Sequence, residues 1–380
     1  MRFGSLIPKA QRDAKKGTVT KVTRHPGERG CGANEKQRRN DGRNDTGGAD
    51  MKAPFVWFGG KRTVANEVWA SLGDVQSYVE PFAGSLAILL ERPETHTGTT
   101  ETVNDLDMYI ANFWRALSCD PEQVAYYAEW PVNECDLHAR HLWLVNEGQR
   151  QMANNLLIDP AWYDAKIAGW WVWGINSWIG SGWCSGKGPW RVVDGQFVKN
   201  KGDAGRGINR KLPHLGNAGQ GINRQNQPLF DYMFLLAERL RRVRVACGDW
   251  SRVVTDGALS YGAMVGIFLD PPYSTEAHRH LDLYSVDSGT VAHDVRRWAI
   301  ANGDNPRYRI VLAGYLEEHA MPDSWRVMQW KTAGGYGNIS MTENANKHRE
   351  CLWFSPNCLD PHVQKGLFDM QSAGQKNYEK

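Results

Sequence analysis

Long apolar runs are missing from this 380-residue chain, and nothing in it approaches the roughly 18 to 20 consecutive apolar residues of a membrane span. The first residues lack an apolar stretch followed by a small-residue cleavage site, so no secretion signal is legible and the expected compartment is the cytoplasm. Paired cysteine motifs are missing as well. Seven cysteines (Cys31, Cys119, Cys135, Cys184, Cys247, Cys351 and Cys358) never come closer than the last two, which excludes a C-x-x-C metal or redox motif. Reduced, mostly buried thiols and no metal site are the expectation. Net charge is also scarce, at +3.

The small total hides a local excess. Residues 1–50 hold 12 Lys and Arg against 6 Asp and Glu, and the rest of the chain holds 33 against 36. Within that rest, Lys187 to Arg244 carries 12 basic against 4 acidic side chains. A basic segment inside an otherwise acidic body is the electrostatic footprint expected of a polyanion-binding region. Tryptophan is abundant, with 17 in the chain and many of them between Trp130 and Trp190.

Residues 1–50 are rich in Lys, Arg, Gly, Asn and Asp, with too few aliphatics to offset the entropy of ordering, and read as a disordered basic extension. A basic arm on phosphates is the alternative, and Met51 is a candidate natural start. From Phe55 the chain alternates strands and helices. A short strand at Ser77–Val79 ends in Glu80-Pro81-Phe82-Ala83-Gly84, and Ser85 to Glu91 reads as a helix. A second strand ends at Val103-Asn104-Asp105, before a helix from about Met108 to Leu117. This rhythm predicts an α/β doubly wound, mostly parallel sheet with ligands outside the carboxyl ends of its strands.

Between Pro121 and Pro228 the rhythm breaks. There Gly205-Arg206-Gly207-Ile208-Asn209-Arg210 returns as Gly219-Gln220-Gly221-Ile222-Asn223-Arg224, a paired loop element. Afterwards Leu229, Met233, Leu236, Leu240 and Val243 repeat at helical spacing, and strands are expected at Val243–Ala246, Gly266–Leu269, Arg309–Ala313, Arg326–Trp330 and Cys351–Phe354. The last two read as an antiparallel pair closing the sheet. The expected domains are the extension (1–50), a sheet domain (51–120 and 229–358), an inserted domain (121–228) and a flexible tail (359–380).

Asp270-Pro271-Pro272-Tyr273 directly follows an apolar strand, which puts a carboxylate at the ligand-binding edge. Two prolines stiffen the turn and leave carbonyls without adjacent donors, and Tyr273 offers a flat face, features that suit a planar amine. A surface turn closing a strand would use the same residues.

Phe55-Val56-Trp57-Phe58-Gly59-Gly60-Lys61, Val79-Glu80-Pro81-Phe82-Ala83-Gly84 and Asp270-Pro271-Pro272-Tyr273 occur in the order found in Dam-like (D12 class, motif order alpha) adenine-N6 DNA methyltransferases. The chain resembles that family over roughly residues 53–356. The resemblance implies a Rossmann-like, S-adenosylmethionine-dependent sheet of seven strands, mostly parallel with an antiparallel last strand, and a DNA-recognition domain inserted before Asp270. It implies that Trp57 and Lys61 help bind the methionine part of the cofactor, with Gly59 and Gly60 allowing close approach. Glu80, Pro81, Phe82 and Gly84 would form the loop under it. Asp105 would take the ribose hydroxyls, although it suits a helix N-cap equally and Asp107 is the neighbouring alternative. Asp249 stands where the family places an acid near the cofactor adenine, and a plain turn aspartate would look the same. Leu86 departs from the family, which usually has a small residue there; it either narrows the cofactor pocket or packs beneath it.

The implied reaction is methylation of an adenine amine, with Asp270 and the Pro271 carbonyl accepting its two hydrogens. Double-stranded DNA would be the partner, with the target adenine flipped out and stacked on Tyr273. Trp183, Lys187, Arg206, Arg210, Lys211 and Arg224 are the candidate DNA contacts. Trp170, Trp171 and Trp173 read instead as core, and Arg239, Arg241, Arg242 and Arg244 as the polar face of a helix. In the tail, Gln364-Lys365-Gly366-Leu367-Phe368 resembles the peptide by which bacterial proteins dock on the sliding clamp, with Gln364, Leu367 and Phe368 as contacts. Methylation of cytosine N4 or of RNA adenine, and a DNA-binding relative without transfer activity, are the rival readings. Asp rather than Ser at position 270 favours adenine.

Overall fold

A computed structural model describes residues 51–55, 57, 60–98, 100–159, 161–178, 183–184, 190–193, 196–199, 229–272, 290–330 and 350–361. The basic extension, the repeated Gly-rich loops, Tyr273 and the clamp-like peptide lie outside them.

Nine strands are described: β1 (Ser77–Glu80), β2 (Thr100–Asp105), β3 (Trp190–Val193), β4 (Gln196–Lys199), β5 (Val243–Cys247), β6 (Val265–Leu269), β7 (Tyr308–Tyr315), β8 (Arg326–Gln329) and β9 (Glu350–Phe354). Seven form one sheet in the order β5-β2-β1-β6-β7-β9-β8, and β3 and β4 form a separate antiparallel hairpin. In the large sheet β9 runs opposite to the other six strands, pairing antiparallel with both β7 and β8. The sheet is therefore the mostly parallel, Rossmann-like architecture with an antiparallel last strand.

Burial follows from position. β1, β6 and β9 are buried along their whole length, the continuous apolar run of strands covered on both faces. β8 alternates between half-buried and exposed residues, as an edge strand does. The pair at the end of the chain is antiparallel as expected, but β9 slots between β7 and β8, leaving β8 as the edge. From β1 the chain proceeds to β2 and β5 on one side and to β6 and β7 on the other, so the strand order reverses beside β1, where open sheets of this kind bind ligands.

The helices are α1 (Ala65–Leu72), α2 (Met108–Cys119), α3 (Pro121–Ala128), α4 (Glu134–Trp143), α5 (Gln149–Asn155), α6 (Ala165–Ser177), α7 (Leu229–Leu240) and α8 (Val291–Asn302). Side-chain caps start several of them. Asp107 accepts from the Tyr109 amide at α2, Asp120 from Gln123 at α3 with Pro121 at the first helical position, and Asp164 from Ile167 at α6. The helix expected over Ser85–Glu91 is only a 3₁₀ turn at Leu89–Glu91. Leu86 explains this, because its φ of 55° is left-handed and interrupts a right-handed helix at its second residue.

Helices α3 to α6 share one hydrophobic core with the sheet domain. Val124, Leu137, Met152, Trp171 and Trp173 belong to the same cluster as Phe113 and Trp114 of α2 and Leu229, Met233 and Leu236 of α7. Phe55 sits at the junction, 5.0 Å from the Trp171 ring and 5.5 Å from Phe113, both edge-on. The tryptophan excess also surrounds cations. The Arg140 guanidinium lies 4.1 Å from the Trp173 ring centre, with Trp170 and Trp130 further out, and Lys166 lies 4.0 Å from Trp143. Of the four arginines expected on a helix face only Arg239 lies on α7, where it pairs with Glu101 of β2 at 2.7 Å; the helix ends at Leu240, so Arg241 and Arg242 fall in the turn after it and Arg244 in β5.

Candidate active site

A cleft opens at the carboxyl ends of β1, β2, β5 and β6. Trp57, Gly60, Lys61, Glu80, Pro81, Phe82, Gly84, Asp105, Asp249 and Asp270 all line it, joined by Asn104, Asp107, Trp250, Phe268 and Pro272. Every described residue expected to touch the cofactor is thus on one surface. Of the expected catalytic element, Asp270 and Pro272 line the cleft and Pro271 is buried behind them.

Each strand end delivers one part. After β1, Gly84 turns with φ 45°, and a Cβ there would come within 2.6 Å of the Trp57 indole nitrogen. Only glycine lets that ring lie against the loop. The Gly84 amide donates to Asp105 Oδ2 at 2.9 Å and its carbonyl accepts from the Trp114 indole at 3.1 Å. Asp105 also accepts from the Asp107 amide, so it ties the β1 loop to the β2 loop. The α2 cap is Asp107, which separates the two roles that the sequence left open.

Asn104 ties a third loop in. Its side-chain amide donates to the carbonyls of Pro81 at 3.0 Å and Gly248 at 2.9 Å, clamping the ends of β1 and β5 together. Sequence reasoning passed over Asn104, although its place beside Asp105 at a strand end was a usable signal. Asp249 caps the short 3₁₀ turn Trp250–Val253, accepting from the Ser251 amide at 3.0 Å and from its hydroxyl, while still facing the cleft. Phe82 and Trp250 stack with their rings 6.2 Å apart.

Leu86 does not narrow the cleft. It is absent from the lining and fully buried in the core beneath.

The electrostatics are dominated by acids. Lys61, almost completely buried, places its ammonium 3.0 Å from Asp270 Oδ1 and 3.6 Å from Glu350 Oε2. Burial raises the Asp270 carboxyl above the usual range, and Lys61 works against that rise. Burial likewise pushes Glu80 up to about 8, with the Tyr78 hydroxyl donating to its Oε2 at 3.1 Å. Asp105 is pushed up to about 7 by burial, with the Asp107 charge adding to it.

Not all expected contacts are surface groups. Trp183, expected against DNA, is buried: its indole donates to the Trp171 carbonyl at 3.1 Å and its ring packs on Trp178 and His141. A Cβ on Gly174 would overlap that ring at 1.9 Å, so Trp183 is a core residue fitted over a glycine and not a stacking surface. Lys187, Arg206, Arg210, Lys211 and Arg224, like Gln364, Leu367 and Phe368, lie outside the described residues.

Residues 57–138 match the family model described as D12 class N6 adenine-specific DNA methyltransferase. Over that segment the chain is similar to that family. The matched segment contains Trp57, Lys61, the Glu80–Gly84 loop and Asp105, and so carries four of the cleft's walls on the D12-class side; Asp249 and Asp270 reach the same cleft from beyond it. No curated protein matches the chain. Among the described residues, no helix is long and apolar enough to cross a membrane.

The residues present fit S-adenosylmethionine. The cleft, counted with its open mouth, holds about 990 Å³ of non-atom space. The aromatic rings of Phe82 and Trp250 can take a purine beside Asp249, and the acids Asp105 and Asp107 can take hydroxyls. Among the described lining residues Lys61 is the single basic side chain, and it is already held by carboxylates, which suits a ligand that carries positive charge.

Proposed function

We infer that the chain is a site-specific DNA adenine-N6 methyltransferase that uses S-adenosylmethionine. The carrying observation is the Asp270 carboxylate, fixed by Lys61 at the end of β6 and facing the same cleft as the Glu80 and Asp105 loops. S-adenosylmethionine supplies an electrophilic methyl group when bound. Trp57 would hold its methionine part, Asp105 its ribose, and Phe82 and Trp250 its purine beside Asp249. Gly60 supports this reading, since a Cβ there would meet only the Trp57 carbonyl at 3.5 Å, an ordinary contact. Among the described residues nothing demands a glycine at that position, whereas close approach of a ligand to the backbone would.

The amine of adenine is conjugated into its ring and is a poor nucleophile. Asp270 Oδ1 is taken by Lys61, so Oδ2 is the oxygen left to accept one amine hydrogen, and the Pro271 carbonyl would accept the other. Holding both hydrogens frees lone-pair density on nitrogen along the line of transfer, and orientation and electrostatics supply the rate. The proton released after transfer passes to Asp270 or to water.

The target would be flipped from duplex DNA and stacked on Tyr273, with an inserted recognition domain over residues 121–228 providing phosphate and base contacts through Lys187, Arg206, Arg210, Lys211 and Arg224. A cytoplasmic enzyme acting alone or as the modification half of a restriction system fits this chemistry, and the Gln364 to Phe368 peptide would be its tether to a sliding clamp.

The test is transfer of labelled methyl from S-adenosylmethionine to DNA, followed by digestion to nucleosides. N6-methyladenine as product supports the reading. Label in N4-methylcytosine or only in RNA would replace it with the neighbouring activity, and no label in any nucleic acid despite DNA binding would leave a non-catalytic relative.

A further inference from the structure

Lys61 has two carboxylate partners, and only one of them reaches the cleft. Asp270 lines it, with 23% of its side chain exposed; Glu350, 8% exposed, does not line it. Glu350 is the first residue of β9, opposite Tyr315 of β7, and its carbonyl accepts from the Trp330 amide at 3.1 Å. Its backbone is therefore held by the sheet, and its carboxylate reaches the cleft through Lys61. Two carboxylate oxygens within 4 Å of one nitrogen lie no further apart than 6.6 Å, the sum of 3.0 and 3.6 Å. At that separation in a buried site each feels the other's charge strongly.

We propose that Glu350 is a positioning residue: it shares the Lys61 ammonium with Asp270, and so fixes both the place and the charge of the carboxylate that faces the cleft. A lysine paired to Asp270 alone would form a neutral couple. With Glu350 the cluster carries one net negative charge, provided all three groups are ionised. A negative cluster favours the positive charge that develops on a methylated amine before its proton leaves, a deepening that rests on the methyltransferase reading. Sharing also holds Lys61 between two fixed points, so the ammonium cannot swing into the cleft and compete for the ligand's charge.

The charged groups facing Asp270 come from four elements: Lys61 from the segment before α1, Glu350 from β9, Glu318 from the turn after β7, and Glu80 from the end of β1. Glu350 and Glu318 raise the Asp270 carboxyl and Lys61 lowers it. Removing the Glu350 charge removes one of the groups that raise the Asp270 carboxyl while Lys61 still lowers it, so that carboxyl must then titrate at lower pH.

The experiment titrates the full chain carrying ¹³C-carboxyl aspartate, with Asp270→Asn to assign the Asp270 signal. In Glu350→Gln, which keeps the shape of the side chain, the Asp270 midpoint is expected to fall by on the order of one pH unit, the scale of losing a like charge at this range. Glu350→Asp keeps the charge but draws it back by one methylene, and a smaller fall in the same direction is expected. A merely structural Glu350 would change the unfolding temperature and leave the midpoint in place, and that result in either folded variant overturns the inference. Single-turnover methyl transfer, followed from pH 5 to 9 on the same samples, should show the acid limb moving with the midpoint and a plateau at least about tenfold lower in Glu350→Gln, the factor expected from the loss of about 1.4 kcal/mol of charge stabilisation. If the wild type transfers no methyl to any nucleic acid, the methyltransferase reading fails, while the titration still decides whether Glu350 governs Asp270.

Discussion

Lys61 Nζ lies 3.0 Å from Asp270 Oδ1, joining the segment that leads into the first helix to the end of the strand that carries the reactive turn. The lysine side of the pair is buried, while Asp270 keeps 23% of its side chain exposed to the cleft. Removing the ammonium with Lys61→Met takes the cation from two carboxylates, partly exposed Asp270 and buried Glu350. Breaking a buried pair costs about 3–5 kcal/mol, and the partial exposure of Asp270 puts the expected loss near the lower end. Urea unfolding should show this loss, with methyl transfer reduced at least about 100-fold; a fully stable, active Lys61→Met would contradict the arrangement.

Gly84 is expected to tolerate no side chain. Gly84→Ala adds a methyl group at a left-handed φ of 45° and directs it at the Trp57 ring. Left-handed backbone costs roughly 1–2 kcal/mol for an alanine, and the ring must also move. Because Trp57 lines the cleft, calorimetric titration with S-adenosylhomocysteine should show affinity at least about tenfold weaker, with the unfolding midpoint lowered only slightly. Unchanged affinity would separate Trp57 from the cofactor site.

Leu86 invites a reversed ranking of substitutions. It is fully buried at φ 55°, so its side chain stabilises the core while its backbone is strained. Leu86→Ala should lose about 2–5 kcal/mol of packing. Leu86→Gly loses the same contacts but relieves the left-handed strain, and it should be at least as stable as the alanine variant. At an ordinary helical position glycine would be the worse of the two by roughly 0.5–1 kcal/mol. Denaturant unfolding of both variants measures the order directly.

Glu80 should behave as a neutral acid at physiological pH. Burial raises its carboxyl to about 8, so it is protonated below that value and ionises above it. Glu80→Gln, a neutral mimic, should therefore match the wild type in cofactor binding at pH 6 to 7. The two should diverge above pH 8, where only the wild type gains a charge. A difference already present at pH 6 would mean that Glu80 is ionised in the folded protein.

His141 gives an acid-sensitivity prediction. It is buried against the Trp178 ring, 5.0 Å away and nearly parallel, and burial lowers its imidazole to about 4. In the unfolded chain a histidine titrates near 6.5, so the depressed folded value makes the native state the weaker proton binder. Its stability is complete above about pH 6.5 and declines as pH falls toward 4, by about 3 kcal/mol in all. His141→Phe cannot take up a proton and keeps the ring, so it should gain on the wild type steadily across that window. Thermal unfolding at pH 7, 5.5 and 4 would reveal the gain, and parallel curves would sink the idea.

Much of the site could be read from local pattern. An apolar run such as Gly266–Leu269 demands a covered strand, and the residue after its last apolar position must stand at the sheet's edge, which placed Asp270. The same reasoning placed Asp105 and Asp249, since strand ends converge in a parallel sheet whatever the loops between them contain. The left-handed turn at Gly84 was equally local, because small residues in that run have few other uses.

Other features were decided only by tertiary structure. Lys61 and Glu350 meet because β9 returns antiparallel beside β7, and nothing in either segment announces the other. Leu86 keeps a left-handed backbone because the core repays its side chain, overriding a helical pattern that favoured an ordinary turn. Trp183 looks like a loop tryptophan until Gly174 is seen beneath it. Helices α3 to α6 break the strand–helix rhythm in sequence, yet they pack into the core that α2 and α7 share. Periodicity reports which face of an element is buried, but the partner on that face is chosen by packing across the whole chain.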